Sequence, residues 1–136
     1  PLIVSLMKSL KLILPNVDDN IKYVDRLNKK IVNRLSKYDR VHINSTENSV
    51  PHIINFSLRG IKPETFVHSL DGYEIYISTK SACSSSNSMS TSVYALTKDK
   101  EISNGSLRIS LSYLTTDLEV DKFLEVFDKC YKSLEM

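Results

Sequence analysis

Apolar and polar residues follow two different periods along the chain, and the period changes near residue 40. In residues 2–14 the apolar positions recur every three or four residues, which predicts a helix that Pro15 ends. A second run with the same spacing follows, at Val17, Ile21, Val24, Leu27, Ile31, Leu35 and Tyr38. Its other side carries Lys22, Asp25, Arg26, Lys29, Lys30, Asn33 and Lys37. We therefore expect a long amphipathic helix with a solvated charged face.

Beyond residue 40 the pattern favours strands. Residues 41–44 and 73–77 are short apolar segments, and residues 52–58 alternate, with Ile54, Phe56 and Leu58 on one side. A further strand is predicted where Leu107, Ile109 and Leu111 alternate with Ser106, Arg108, Ser110 and Ser112. One side of this strand is apolar and suits a core, whereas Arg108 lies on the other side.

Three shorter signals predict helices. Pro63 suits the first turn of a helix that runs through Leu70 before Gly72, and residues 93–96 form a helical turn. Thr116 and Glu119 have the spacing of a capping box, which opens a last helix with an apolar stripe. The high serine content of residues 78–92 predicts a loop. The sequence predicts an α+β fold in which helices cover one face of a small antiparallel or mixed sheet.

Composition narrows the possible functions. The 136 residues fit one domain, and a net charge of +2 gives no argument for nucleic acid. With three glycines, the chain lacks a phosphate-binding loop or a dinucleotide fingerprint. We expect no membrane span, because no apolar run approaches about 20 residues. The start at Pro1 lacks an initiator Met and a signal peptide, so we expect a chain cut from a longer one.

The two cysteines have different surroundings. Cys130 lies on the apolar stripe of the last helix and reads as a core residue. Cys83 lies among small polar residues, and Lys80 would favour its thiolate form. It is either an incidental loop thiol or a nucleophile. The spacing of the cysteines and histidines predicts no metal site, and free thiols favour a reducing compartment.

Arg108 is the second candidate for chemistry. On a strand between Ser106 and Ser110 it suits bidentate binding of a carboxylate, and the alternative is a surface arginine without a specific partner. The histidines, His42, His52 and His68, read as structural. The lysines Lys80, Lys98 and Lys100 would make only a weak phosphate patch.

Two motifs together resemble a known family. Residues 78–85 resemble the Ser-Thr-Gly-Ser-Ala-Cys-Ser segment of cysteine desulfurases, which are pyridoxal-phosphate enzymes of the class V aminotransferase group. Residues 106–116 resemble the family's Arg-x-Ser-x-x-x-x-Thr-Thr stretch. Residues 50–57 are similar to the strand that leads into its small domain, and residues 1–14 to its interdomain helix. The resemblance covers essentially the whole chain.

The resemblance implies a domain organisation. Residues 1–14 would be the interdomain linker helix, and residues 15–136 the small C-terminal domain of a fold type I enzyme, with the reactive-cysteine loop. The large cofactor domain would be absent, and with it the lysine that binds pyridoxal phosphate. The fragment alone should then be inactive.

The resemblance to cysteine desulfurases also implies roles for individual residues and for partner proteins. Cys83 would take sulfur from L-cysteine as a persulfide, and Arg108 would hold the substrate's α-carboxylate. The persulfide would pass to an acceptor protein, either an iron–sulfur scaffold or an RNA-thiolating enzyme. The parent would be a cytoplasmic homodimer without direct contact to nucleic acid or membrane. Selenocysteine lyase, another class V relative, and a non-enzymatic module that docks a sulfur acceptor remain alternatives. Lys80 stands in place of the family's Gly, and Ser112 and Tyr113 in place of Gly-Arg.

Overall fold

The computed structural model describes residues 1–79 and 89–134 of the chain. The helices in this part are α1 (Leu2–Ile13), α2 (Val17–Leu35), α3 (Pro63–Asp71), α4 (Thr91–Thr97), α5 (Lys100–Asn104) and α6 (Asp117–Leu134). A single 3-10 turn, Leu14–Asn16, joins α1 to α2. The strands are β1 (Val41–Ile43), β2 (Ile53–Leu58) and β3 (Ser106–Ser110).

The strands form an antiparallel sheet in the order β1-β2-β3. Ile54, Phe56 and Leu58 of β2 are buried and lie on one face, as the alternating pattern predicted. They belong to one hydrophobic core with the apolar sides of α2, α3 and α6. The predicted α+β fold is therefore confirmed, with an antiparallel sheet.

The other face of the sheet is polar. Asn55 and Ser57 of β2 lie opposite Arg108 and Ser106 of β3 in the strand register. Ser57 and Ser106 are buried although they are polar. Since the core uses the apolar face, this polar face is available for a binding site.

The predicted strand at residues 73–77 is wrong. Backbone amides of Tyr73, Glu74 and Ile75 donate to carbonyls at the end of α3, so this segment begins as a turn and continues without regular secondary structure. Glu74 has a φ of 60°, outside the extended region of a strand. Only Ser78, just beyond the segment, forms a bridge to β3.

The helix α5 was not predicted by the sequence pattern. It is five residues long, and it starts because Asp99 Oδ1 accepts from the amides of Glu101 and Ile102. Gly105 then leads directly into β3, where its backbone lies against the carbonyl of Leu58. The predicted turn at residues 93–96 is confirmed within the longer helix α4.

The first helix, α1, has the predicted extent but contains no buried residue. Leu2, Ile3 and Val4 are more than two-thirds exposed, at 85%, 76% and 70%. In the chain as described, α1 therefore contributes no side chain to the core.

Candidate functional site

A cavity of about 510 Å³ opens over the polar face of the sheet. Its described walls come from the β1–β2 loop, the strands β2 and β3, and the start of α4. The polar lining includes Asn44, Ser45, Asn55, Thr79, Ser90, Ser106 and Arg108. The apolar lining consists of Val50, Ile53, Val93 and Leu96. A cavity with a few convergent polar groups between apolar walls suits a small polar ligand.

Arg108 is held rigidly at one side of this cavity. Its backbone amide donates to the carbonyl of Ser78 at 2.7 Å, and its carbonyl accepts from the amide of Ser78 at 3.0 Å. The side chain is partly buried, and its Nε atom is buried without a hydrogen-bond partner among the described residues. An unpaired guanidinium edge is costly to bury, and a bound carboxylate would satisfy it.

A network of side-chain hydrogen bonds lies on the same face. Asn44 Nδ2 donates to Asn55 Oδ1 and to Ser57 Oγ, both at 2.7 Å. Ser106 Oγ lies 3.2 Å from both Oδ1 and Nδ2 of Asn55. Asn44 Oδ1 lies 2.9 Å from His42 Nδ1. These contacts fix the orientation of the Asn55 carboxamide beside Arg108.

Asn44 and Asn55 were missed as site residues. The alternation in residues 52–58 already put Asn55 on the polar side of its strand. However, only the strand register shows that Asn55 lies directly across from Arg108. A polar residue on the non-core side of a strand was the available signal, and no local motif distinguishes it from an exposed asparagine.

Cys83 and Lys80 lie outside the described residues, so their predicted roles stay predictions. The described residues on either side of this segment both line the cavity, Thr79 before it and Ser90 after it. Ser90 is also the N-cap of α4, where its Oγ accepts from the amide of Val93. The chain therefore enters and leaves the segment that contains Cys83 at the cavity wall.

Cys130 lies in the core, as predicted. It is only 4% exposed on α6, and burial raises the pKa of its thiol above the ordinary value. The neutral thiol is therefore favoured, which is the opposite of what a nucleophile needs. Cys130 is a structural residue.

The histidines and lysines are dispersed. His42 contacts Asn44, His52 accepts through its backbone carbonyl from the amide of Leu111, and His68 lies on α3. None of the three lines the cavity within the described part of the chain. Lys98 and Lys100 lie around the start of α5 and likewise do not line it.

The described residues include no complete site for a cofactor or a metal. No lysine is found among the described residues that line the cavity, so these residues do not by themselves build a Schiff-base site for pyridoxal phosphate. Within 1–79 and 89–134 there is no cluster of His, Cys, Asp or Glu side chains that could hold a metal. None of the described helices combines the length and the apolarity that crossing a bilayer requires.

The chain is similar in sequence to a NifS/IcsS protein homolog and to proteins named cysteine desulfurase IscS. A NifS/IcsS protein homolog from Lactobacillus delbrueckii is 32% identical over 133 residues, which is 96% of this chain and 34% of that protein. A cysteine desulfurase IscS from Clostridium botulinum is 30% identical over 135 residues and is covered to the same two extents. The chain spans about a third of the length of these relatives.

The fold and a family model agree with these relatives. A solved NifS-like protein superposes with a TM-score of 0.79 at 27% identity, over 92% of this chain and 32% of that one. The family model described as aminotransferase class-V matches residues 1–123. That match includes α1, the whole sheet, the cavity and Arg108. The chain belongs to the class-V aminotransferase family.

Proposed function

We propose that this chain is the part of a cysteine desulfurase that holds the substrate's carboxylate and supplies the sulfur-accepting thiol. The observation that supports it most is the buried Nε of Arg108, which has no hydrogen-bond partner among the described residues and lies in a cavity that both flanks of the Cys83 segment line. The similarity to proteins named cysteine desulfurase supports the same reaction. A site for an arbitrary small molecule would not need both a carboxylate-binding arginine and a nearby segment with a cysteine.

Arg108 would bind the α-carboxylate of L-cysteine. Its guanidinium provides a planar fork of donors that matches the two oxygens of a carboxylate. The paired hydrogen bonds with Ser78 hold its backbone, so little freedom is lost on binding. With the carboxylate held there, the amino acid's side chain would extend across the cavity.

Cys83 would accept the sulfur atom. Its sulfur forms a bond to the substrate's sulfur while the substrate's carbon–sulfur bond breaks. The carbon keeps the bonding electron pair and takes a proton. The products are alanine and a persulfide on Cys83, so no external oxidant or reductant is needed. Lys80, three residues earlier, would favour the thiolate that starts this step.

The remaining parts of the site would come from outside this chain. In this proposal, pyridoxal phosphate is bound by the parent's large domain, and residues 1–14 link that domain to residues 15–136. The parent would be a cytoplasmic homodimer. The Cys83 persulfide would be passed to a protein acceptor for iron–sulfur cluster assembly or tRNA thiolation.

The test is sulfide release from L-cysteine by the parent polypeptide with pyridoxal phosphate and a thiol reductant. We expect Cys83→Ala to abolish release and Cys130→Ala, the matched control, to retain it. Release that persists in Cys83→Ala would overturn the proposal. Normal release with loss of binding to an acceptor protein would instead support a docking module.

A further inference from the structure

Asn55 of β2 and Arg108 of β3 are cross-strand neighbours. The two residues are directly opposite in the antiparallel register of β2 and β3. The backbone groups of Arg108 bond outward to Ser78, so this is a pair without hydrogen bonds between its own backbones. Such pairs bring side chains closest, with Cβ atoms about 4.5–5.5 Å apart. Both residues line the cavity.

The Asn55 carboxamide has one donor left for a ligand. Its Oδ1 already accepts from Asn44 Nδ2 at 2.7 Å and faces Ser106 Oγ at 3.2 Å. Its Nδ2 carries two hydrogens, and among the described residues Ser106 Oγ is its one acceptor. These hydrogen bonds orient the Oδ1 of Asn55 toward Asn44. They leave one N–H of Asn55 Nδ2 without an acceptor among the described residues.

A carboxylate has more acceptor capacity than one guanidinium edge can use. Its two oxygens offer about four lone-pair directions, of which a bidentate arginine uses two. A donor on the adjacent strand can therefore bind a further lone pair of the carboxylate without competing with the arginine. Because both donors lie on paired strands, their separation is set by the sheet.

We propose that Asn55 Nδ2 is a second donor to the α-carboxylate that Arg108 binds, so that the two residues together select amino acids with a free carboxylate. This inference rests on the proposed function, and it extends the site by a residue that the Cys83 and Arg108 motifs do not include. Asn44 is then a positioning residue. It donates to the Oδ1 of Asn55 and affects the bound carboxylate only by orienting the Asn55 carboxamide.

The test compares two ligands that differ only at the carboxyl group. L-Alanine and L-alaninamide share the amine and the methyl group, but the second has a neutral amide in place of the carboxylate. Neither contains sulfur, so their binding does not require Cys83. Dissociation constants are measured by calorimetry on the parent holoenzyme, in the wild type and in Asn55→Asp. The aspartate keeps the acceptor for Asn44 but loses the donor.

We expect Asn55→Asp to weaken L-alanine binding about tenfold or more, and to change L-alaninamide binding less than about twofold. The neutral variant Asn55→Ala, which has no side-chain donor, should weaken L-alanine binding in the same direction, and this separates loss of the donor from charge repulsion. Asn33→Asp makes the same replacement on the exposed side of α2 and should change neither constant.

Each of the following outcomes contradicts the inference. Equal weakening of both ligands would show a structural role, and unchanged L-alanine binding in both Asn55 variants would show no role. If Arg108→Ala loses L-alanine while the Asn55 variants keep it, only the inference fails. A wild-type parent that binds no L-alanine would overturn both the inference and the proposed function.

Discussion

At the scale of single residues, Arg108 shows how alternation along a strand places a charged side chain at a cavity. Leu107 and Ile109 on either side of it are buried in the core, so Arg108 must lie on the opposite face. Its backbone is hydrogen-bonded to Ser78, and its buried Nε has no hydrogen-bond partner among the described residues. Alternation along the strand was sufficient to predict this placement. The position of Asn55 across from Arg108 was not predictable, because it depends on which strands pair and in what register.

The first prediction concerns Arg108 in the parent enzyme. Losing a charge-assisted hydrogen bond costs about 1.5–3 kcal/mol of binding, so Arg108→Ala should raise the KM for L-cysteine roughly 10- to 100-fold. Steady-state kinetics measure this, and the melting temperature shows whether folding is disturbed. Arg59→Ala, at an exposed ion pair with Asp99, is the control and should leave KM unchanged. A KM that does not change in Arg108→Ala would contradict the assignment.

At the scale of elements, α2 and α6 are connected by ion pairs along their exposed edges. Arg26 binds both carboxylate oxygens of Asp117, at 2.8 and 2.7 Å, and Lys30 binds Asp121 at 2.6 Å. The sequence predicted that this face of α2 is solvated. The structure shows that Arg26 and Lys30, although accessible, also reach across to the start of α6.

This contact predicts a dependence on acid. The hydrogen bonds from Arg26 hold the pKa of Asp117 below its ordinary value of 3.8. A carboxylate with a lowered folded-state pKa stabilises the fold above its ordinary pKa, and that contribution is lost as pH falls through the folded value. Asp117→Asn should therefore lower the free energy of unfolding at neutral pH. Below about pH 4 it should lose less additional stability than the wild type does. Denaturant midpoints at several pH values measure both effects, and an unchanged acid profile would contradict the assignment.

The elements that the sequence did not predict have local causes. Residues 73–77 contain Tyr and Ile, which favour strands, but the amides of the first three residues donate to the end of α3 instead. Helix α5 has five residues and depends on the cap by Asp99 rather than on an apolar period. By contrast, α2, α6, β2 and β3 follow clear periods of apolar residues, and the sequence was sufficient to predict them.

The junction of α5 and β3 allows a prediction about Gly105. A Cβ atom added there would overlap the carbonyl oxygen of Leu58, so the two strands would have to separate. We expect Gly105→Ala to destabilise the fold by about 1–3 kcal/mol, as measured by denaturant unfolding. Gly72→Ala is the matched control, because an added Cβ there meets its nearest atom at an ordinary 3.6 Å. Equal stability of the two variants would show that the junction can relax.

At the scale of the whole molecule, one aromatic side chain joins the layers. Phe127 of α6 is fully buried, and its ring contacts those of Tyr38, Phe56, Phe66, Phe123 and Tyr131. These rings come from α3, α6, the sheet and the turn after α2. The core therefore holds the sheet from its apolar face and leaves the polar face free for the cavity.

Removing this side chain should weaken the whole domain. Phe127→Ala is expected to cost about 3–5 kcal/mol of unfolding free energy, because it removes buried apolar contacts and leaves a void. Tyr76→Ala, at a side chain that is 77% exposed, should change stability by less than about 0.5 kcal/mol. Chemical denaturation of both variants is the measurement, and similar midpoints would contradict the role of Phe127.

The central claim is that Cys83 receives sulfur from an amino acid held at Arg108. The most direct measurement is peptide mass mapping of the parent after incubation with pyridoxal phosphate and L-cysteine, without reductant. We predict one added sulfur atom on the peptide that contains Cys83, none on the peptide that contains Cys130, and much less on Cys83 in Arg108→Ala. An unmodified Cys83 while alanine is formed would contradict the claim.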